Sequence, residues 1–484
     1  MKKLFFLLFI FLLANSFNGF CGAPYPGKNI IHIKDFGAIG DGIQNATESF
    51  QKASLYLQTH GGTLIIDPGT YIVGKQKLSG IYGAGSSYLA EPIINIKNAQ
   101  KPILISGYKA SLLAANGLKY GSFNPVTGEK DSIRTEGNRS DYYASAYIFI
   151  NIEDCLSISI KGINLNGNSG KLNIGPQFDK EGNQLMATGI RVYNNKQVNI
   201  EDCNIHHCAL DAIIVGWTGL VSIDPIYPHT IKNVKATFNG RQALSWVGGN
   251  NLTVINSEFS STGKALNNGV PVIGLPSAGI DIEIESSIIK NGNFIDCLVF
   301  NNAGYGLSSL GHDTYNINFR KVTFIGTTNY AAVPKSQYFS FDSCTFIGSV
   351  SGIFGSPDKS KANSFKNCLF SMNKERSPNG KVFGEYCAFY DGQNVIFDNC
   401  KFDAADRQLP VFNKKELEFI NCKFIQNSNH NFRAIATFKG TTRFVVKGQE
   451  EIDTSNATFE GIVLYDTLKM TEKENKTSKN LFFK

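Results

Sequence analysis

Apolar and polar residues alternate in short runs along most of this chain, and one run keeps returning. It reads apolar, variable, then Asn, Asp or Ser, then Cys, variable, and Phe or Ile. Copies stand at Ile200-Glu201-Asp202-Cys203-Asn204-Ile205, Phe341-Asp342-Ser343-Cys344-Thr345-Phe346 and Phe365-Lys366-Asn367-Cys368-Leu369-Phe370. Two more are Phe397-Asp398-Asn399-Cys400-Lys401-Phe402 and Phe419-Ile420-Asn421-Cys422-Lys423-Phe424. Looser copies centre on Gly162, Val234, Ser257, Cys297 and Val322. In the second half, centres at 297, 322, 344, 368, 400 and 422 stand 25, 22, 24, 32 and 22 residues apart. Wider gaps earlier in the chain mark insertions.

Alternation with a period of two predicts strands with one buried face. A strand unit returning every 22 to 25 residues leaves no helix-length segment between copies. Each repeat is therefore one coil of about three short strands. Stacking such coils pairs every strand with its equivalent above and buries a continuous interior. A propeller needs about 40 or more residues per blade and is disfavoured. The repeated Cys and Phe would then form an inward ladder of thiols beside a stack of rings, with cysteine acting as a small hydrophobe. Mostly free thiols are expected, a few disulfides being the alternative. Near the start, Asn45-Ala46-Thr47-Glu48 opens a segment with Phe50, Ala53 and Leu57 at helical spacing, closed by Gly61-Gly62. This predicts a short amphipathic helix that caps the first coil and shields its unpaired edge.

The opening itself is recognisable. Ile33-Lys34-Asp35-Phe36-Gly37-Ala38-Ile39-Gly40-Asp41-Gly42, then the helix, then Gly61-Gly62-Thr63-Leu64-Ile65-Ile66-Asp67-Pro68-Gly69-Thr70-Tyr71 resembles the start of the pectate-lyase-like superfamily. The resemblance and the coils together cover roughly residues 29–460. It implies an all-β chain, a right-handed parallel β-helix with an N-terminal capping helix. For function it implies less, because the superfamily holds hydrolases, lyases, epimerases and non-cleaving binders.

Composition agrees with a strand-and-turn protein. Among 484 residues, 42% hydrophobic and 18% charged exclude wholesale disorder, and 47 Gly and 36 Phe outweigh four Met and two Trp. Lys2, Lys3 and the lysine-rich residues 469–484 carry five of the net +7, leaving +2 for the body. A nucleic-acid-binding stripe is not expected. Residues 1–20 hold Met-Lys-Lys, an apolar stretch from Leu4 to Leu13, and small residues, the pattern of a secretory signal. A secreted or periplasmic protein is expected, with a lipid anchor on Cys21 the alternative. No segment reaches transmembrane length. Residues 21–466 form the coil with its cap, and 467–484 read as a polar, solvated tail, a C-terminal sorting tag being the alternative. Export permits disulfides, but the ten Cys follow the repeat rather than a disulfide scaffold or zinc pairs.

A packed interior leaves function to an outer face walled by loops. The insertions 111–146, 170–188 and 217–230 carry Tyr120, Phe123, Tyr142, Tyr143, Phe178, Trp217 and Tyr227, rings suited to stacking on sugars. The most informative strand is Gly279-Ile280-Asp281-Ile282-Glu283-Ile284-Glu285. Alternation puts the isoleucines inside and Asp281, Glu283 and Glu285 outside, neighbouring acids ~6.6 Å apart. Such a row repels itself, which raises carboxyl pKa values and suits an acid and a base acting on a glycosidic bond. Laying the two preceding coils beside this strand stacks Asp211, Arg241 and Asp281 on adjacent rungs ~4.8 Å apart. Asp211, Asp281 and Glu283 are then candidate catalytic carboxyls, with Arg241 a catalytic clamp. His207, Gln242, Glu285, Trp217 and Tyr305 are candidate substrate contacts. His206 and His312 are weaker candidates. These places are similar to those where polygalacturonases carry Asp-Asp, Gly-His-Gly and Arg-Ile-Lys, here Leu210-Asp211, Gly240-Arg241-Gln242 and Ile280-Asp281-Ile282. Only Asp211 carries over directly.

The function expected is cleavage of glycosidic bonds in a polysaccharide, possible by hydrolysis or by β-elimination. Elimination would call for a base such as Arg241 or His207, and Ca²⁺ on the acid row would neutralise a uronate. A non-catalytic glycan-binding or surface-structural protein is the rival, and an epimerase a third reading. No dinucleotide fingerprint, Walker A loop or His-Glu-x-x-His site is present in the sequence.

Overall fold

The residue ahead of each repeated cysteine adopts a left-handed backbone, and that single residue turns the chain. Its φ is 55° at Asp202, 56° at Ser343, 54° at Asn367, 51° at Asn399 and 54° at Asn421. Asn and Asp tolerate this region better than other residues with a Cβ, which explains their place in the repeat. The turn joins two short strands, as in Val198–Glu201 and Asn204–His206. Each then pairs in parallel with its equivalents in later coils. Val198 lies across from His229 and His229 across from Leu252, while Asn204 lies across from Lys235 and Lys235 across from Glu258. Extra hydrogen bonds tie the turns together, Asn233 Nδ2 donating to Asp202 Oδ1 at 3.0 Å and Asn399 Nδ2 to Asn367 Oδ1 at 2.7 Å.

The computed structural model describes residues 29–465 and 481–483, apart from 79–87, 133–139, 178–181, 286, 312, 386–392, 410–411, 428–431, 447–451 and 454–456. The expected leader, Phe178, His312 and most of the 467–484 tail lie outside the described residues. At the end of that tail, Leu481–Phe483 is a strand paired with Val463, Leu464 and Tyr465.

A third set of strands completes the coil and forms a separate eight-stranded parallel sheet. We number these β1 (Ile94–Lys97), β2 (Tyr147–Glu153), β3 (Ala187–Tyr193), β4 (Ile213–Gly216), β5 (Gln242–Trp246), β6 (Ala278–Glu283), β7 (Leu307–Leu310) and β8 (Ala332–Pro334). The capping helix α1 (Thr47–His60) buries Phe50, Ala53 and Leu57, as its periodicity predicts. It also covers the open edge of β1. Ser54 Oγ accepts from the backbone N–H of Asn95 at 3.2 Å, and Gln58 Oε1 accepts from that of Lys97 at 3.0 Å. Donors that would otherwise recruit another strand are thereby satisfied. Among the described residues no helix is long and apolar enough to cross a membrane.

The interior repeats as the motif does. Phe341, Phe365, Phe397 and Phe419 stack at centroid distances of 4.7, 4.9 and 5.0 Å. Phe346, Phe370, Phe402 and Phe424 form a second column at 4.9, 4.8 and 4.9 Å. The columns meet edge to face, as between Phe365 and Phe370 at 5.5 Å. Truncating Phe365 to Ala leaves a void that rigid neighbours on both rungs cannot fill. We expect a loss of about 3–5 kcal/mol, measured by denaturant unfolding.

The thiols behave as small core groups. All eight described cysteines are buried and unpaired in disulfides. Cys344, Cys368, Cys400 and Cys422 each direct Sγ to a carbonyl of the preceding coil, at 3.3, 3.4, 3.5 and 3.2 Å. A maleimide should therefore leave these eight unlabelled in native protein and modify them after denaturation, as read by peptide mass spectrometry. Rapid native labelling would contradict the buried ladder.

Candidate functional site

Alternation in β6 sets the site. Ile280 and Ile282 join the core, and the intervening Asp281 lies on the outer side of the sheet. Its rung partners are Ser245 on β5 and Ser308 on β7. Continuing across the sheet, the same row holds Ile214, Arg191, Asn151 and Asn95. Two residues along each strand, a second outer row carries Lys97, Glu153, Tyr193 and Gly216 towards one end, and Glu283 and Leu310 towards the other.

Asp281 is the most perturbed carboxyl of the face. It is only 4% exposed. Gln242 Nε2 donates to its Oδ2 at 2.8 Å, and the Ser308 hydroxyl supplies a further hydrogen bond. Burial, reinforced by the charge of Glu283, pushes its pKa up to about 7 despite the opposing pull of Ser308 and Arg241. Glu283 is half-buried on the same face, and Glu285 is exposed just past the strand end. The alternation expected for the first two acids is present. The third lies beyond the regular strand.

The expected stack of Asp211, Arg241 and Asp281 on adjacent rungs is not what the chain builds. Ile213, Leu244 and Ile280 share one level. Asp211 and Arg241 stand two and three residues before that level, in the turns entering β4 and β5, whereas Asp281 stands one residue past it, so the three do not share a row. Arg241 and Asp211 still act on the Asp281 charge. The turns entering β4, β5 and β6 set this register, and motif spacing does not report it. Asp211 is fully buried. Arg241 straddles it as a fork, Nε donating to Oδ1 at 2.9 Å and Nη2 to Oδ2 at 2.5 Å, while Nη1 reaches Gln184 Oε1 at 3.1 Å. Burial works to lower the Arg241 pKa, but Asp211 more than offsets it and the guanidinium ends above its ordinary value. The arginine expected to clamp substrate has both prongs of its fork on a buried internal carboxylate.

Gln242 is likewise drawn inward from its expected substrate role. It is 1% exposed, its Oε1 accepts from the backbone N–H of Ala278 at 3.1 Å, and its Nε2 holds Asp281. It positions the acid. His207 spends its ring on its neighbours, with Nδ1 2.8 Å from that of His206 and its face 5.2 Å from Phe238. Burial lowers its pKa, and burial with the neighbouring ring takes His206 to about 4. Both imidazoles are therefore neutral at pH 7. Trp217 follows β4 at the Glu283 end of the sheet and stacks on Tyr227 at 4.4 Å. Tyr305 enters β7 at the opposite end, 6.3 Å from Tyr330. The candidates thus divide between the two ends of the sheet, with Asp281 between them.

Arg191 and Tyr193 also belong to this face. The Arg191 guanidinium lies 4.0 Å over the Tyr193 ring, and its Nη1 donates to Asn151 Oδ1 at 2.9 Å. Tyr193 lies flat across the next strand, where a Cβ on Gly216 would meet its Cζ at 2.4 Å. The glycine is required for that close approach. The signal was available in the sequence: Gly189-Ile190-Arg191-Val192-Tyr193 has the same alternation as Gly279-Ile280-Asp281-Ile282-Glu283.

Among the described residues no group of three or more His, Cys, Asp or Glu side chains converges to hold a metal ion.

With this geometry in place, comparisons with known proteins are informative about the winding. Residues 310–480 match a family model described as a right handed beta helix region. The chain is a right-handed parallel β-helix. No curated protein matches it. Solved structures similar to this β-helix include the A-module of mannuronan C-5 epimerase AlgE6 of Azotobacter vinelandii, at 13% identity over 91% of this chain and 100% of that one, TM-score 0.39. The tailspike protein gp49 of Pseudomonas phage LKA1 aligns at 10% identity over 91% and 78%, TM-score 0.39. The surface protein and adhesin PfbA of Streptococcus pneumoniae aligns at 12% over 94% and 100%, TM-score 0.31.

Proposed function

We propose that this β-helix is an exported enzyme that hydrolyses glycosidic bonds of a polysaccharide on the outer face of β3–β6. One observation carries the reading. Asp281 is a buried, hydrogen-bonded carboxyl with its pKa raised to about 7, two residues before a second carboxyl on the same face. Below that pH Asp281 keeps a proton, which it donates to the leaving glycosidic oxygen. Glu283 takes a proton from the attacking water, so the bond to the sugar carbon breaks as the new C–O bond forms. Their ~6.6 Å strand spacing meets the lower bound of about 6.5 Å for a water-mediated, inverting arrangement. Arg191 and Tyr193 offer a flat cationic and aromatic platform for sugar rings three strands away.

A panel of acidic and neutral polysaccharides, with and without chelator, tests this directly. New reducing ends without an unsaturated-uronate absorbance, insensitive to chelator, are expected. The absorbance would replace hydrolysis by β-elimination. Retention on a polymer with no depolymerisation would make the protein a binder.

A further inference from the structure

The left-handed turns line up from coil to coil along a corner of the other sheet, the one that β1–β8 do not belong to. Strand register puts Gly162, Asp202, Asn233, Asn256, Asp296 and Lys321 in one row, all with φ between 48° and 68°. Past each turn the chain changes direction, and the outward residues Lys235, Glu258, Leu298 and Thr323 form a second row. Between the two rows runs an open groove of about 610 Å³. Its floor is the buried Val234, Ser257 and Cys297 of the repeat.

One end of the row is fitted with a ring. A Cβ on Gly162 would meet Cδ1, Cγ and Cε1 of Tyr108 at 2.7, 2.6 and 2.5 Å or closer to one another still, near-equal distances that lay the ring flat over that turn. Glycine at this rung, where later coils carry Asp or Asn, is what lets the ring lie there. Tyr108 Oη donates to Asp202 Oδ2 at 2.8 Å, and Asn233 Nδ2 donates to Asp202 Oδ1 at 3.0 Å. One carboxylate thereby holds the ring in line with the first amide of the groove. The ring is 51% exposed, an aromatic face fixed towards solvent instead of folded into the core. Along the groove, Asn233, Asn256 and Thr323 offer donors and acceptors on rungs ~4.8 Å apart. The described lining holds two lysines and two acids, with Lys235 on Glu258 at 3.3 Å, so it carries no net charge to draw a polyanion or polycation.

We infer that this corner groove binds one strand of a neutral polysaccharide, laid along the stack of coils with a sugar ring on Tyr108. The C–H side of that sugar rests on the tyrosine face, and hydroxyls of the following units pair with Asn233, Asn256 and Thr323. The groove and Asp281 lie on different sheets, so the polymer held here is held apart from the cleavage face. The inference stands whether or not Asp281 and Glu283 are catalytic.

Affinity electrophoresis and titration calorimetry on the full chain test it, with mixed-linkage β-glucan, galactomannan, arabinoxylan and dextran as neutral probes and polygalacturonate as the acidic one. At least one neutral polymer should be retained. Tyr108→Ala should weaken that retention by about fivefold or more, through loss of the stacking ring. Asn256→Gly should weaken it by about threefold or more, through loss of an amide in mid-groove, and glycine takes the φ of 48° there without strain. Thermal melts should show both variants folded as the parent is. An Asp281→Asn/Glu283→Gln variant should keep the retention that depends on Tyr108, and its loss with the acids would put the polymer on the cleavage face instead. Retention indifferent to both groove substitutions, or no retention of any neutral probe, overturns the site. Polygalacturonate retained through Tyr108 overturns the neutral class.

Discussion

Glu283→Gln should lower polysaccharide cleavage by about 10²–10⁴-fold with little change in stability, because the substitution removes a proton acceptor and keeps its shape. Asp281→Asn should lower it by a similar factor, and here the pH dependence separates chemistry from folding. Asp281 has its folded pKa raised to about 7 from an ordinary value of 3.8. As the proton donor it is competent below about pH 7, so parental activity should fall as pH rises through that value. Stability runs in the same direction. The folded state holds a proton between about pH 4 and 7 that the unfolded chain has lost, so stability is greatest at the acidic end and declines as pH rises across that window. Asn carries no charge to bury. The variant should unfold later than the parent at pH 8, by on the order of 4 kcal/mol at most, while losing activity. A double variant that cleaves at the parental rate would remove both acids from the chemistry.

Arg241→Ala should be the most destabilising single change around the site, about 3–5 kcal/mol. It strands Asp211, which is fully buried and receives both prongs of the guanidinium fork. Removing both charges with Arg241→Met/Asp211→Leu should recover most of that loss, since the desolvation cost of the pair disappears with its attraction. Denaturant melts of the two single variants and the double variant measure the coupling. A refolded double variant that retains measurable cleavage is the outcome the geometry favours. One that folds but has lost all turnover would return Asp211 or Arg241 to the catalytic set.

Much of the fold was legible before any coordinates. Alternation reports the stacked strands, Phe two residues after the Cys reports a ring column, and Phe50, Ala53 and Leu57 report the cap. These are local regularities, and a solenoid repeats local structure. The candidate site was legible only in part. Alternation placed Asp281 and Glu283 on one face correctly, yet Asp211, Arg241 and Gln242 were drawn into service as internal partners. Arg191 and Tyr193 carry the same alternation, but a cation and a ring make no acid–base pair and so give no chemical signal of their own in the sequence.

The period of two and the return of the motif determined the winding of this chain, because each coil repeats the same backbone solution and only needs its neighbour to exist. Which outward groups meet was decided by tertiary structure alone. Insertions of different lengths shift where each strand begins, and a slip of a few residues at ~3.3 Å each separates side chains that spacing would stack. What each buried carboxyl meets then decides its state, Asp281 keeping a raised pKa beside Glu283 and Asp211 lying sealed beneath Arg241.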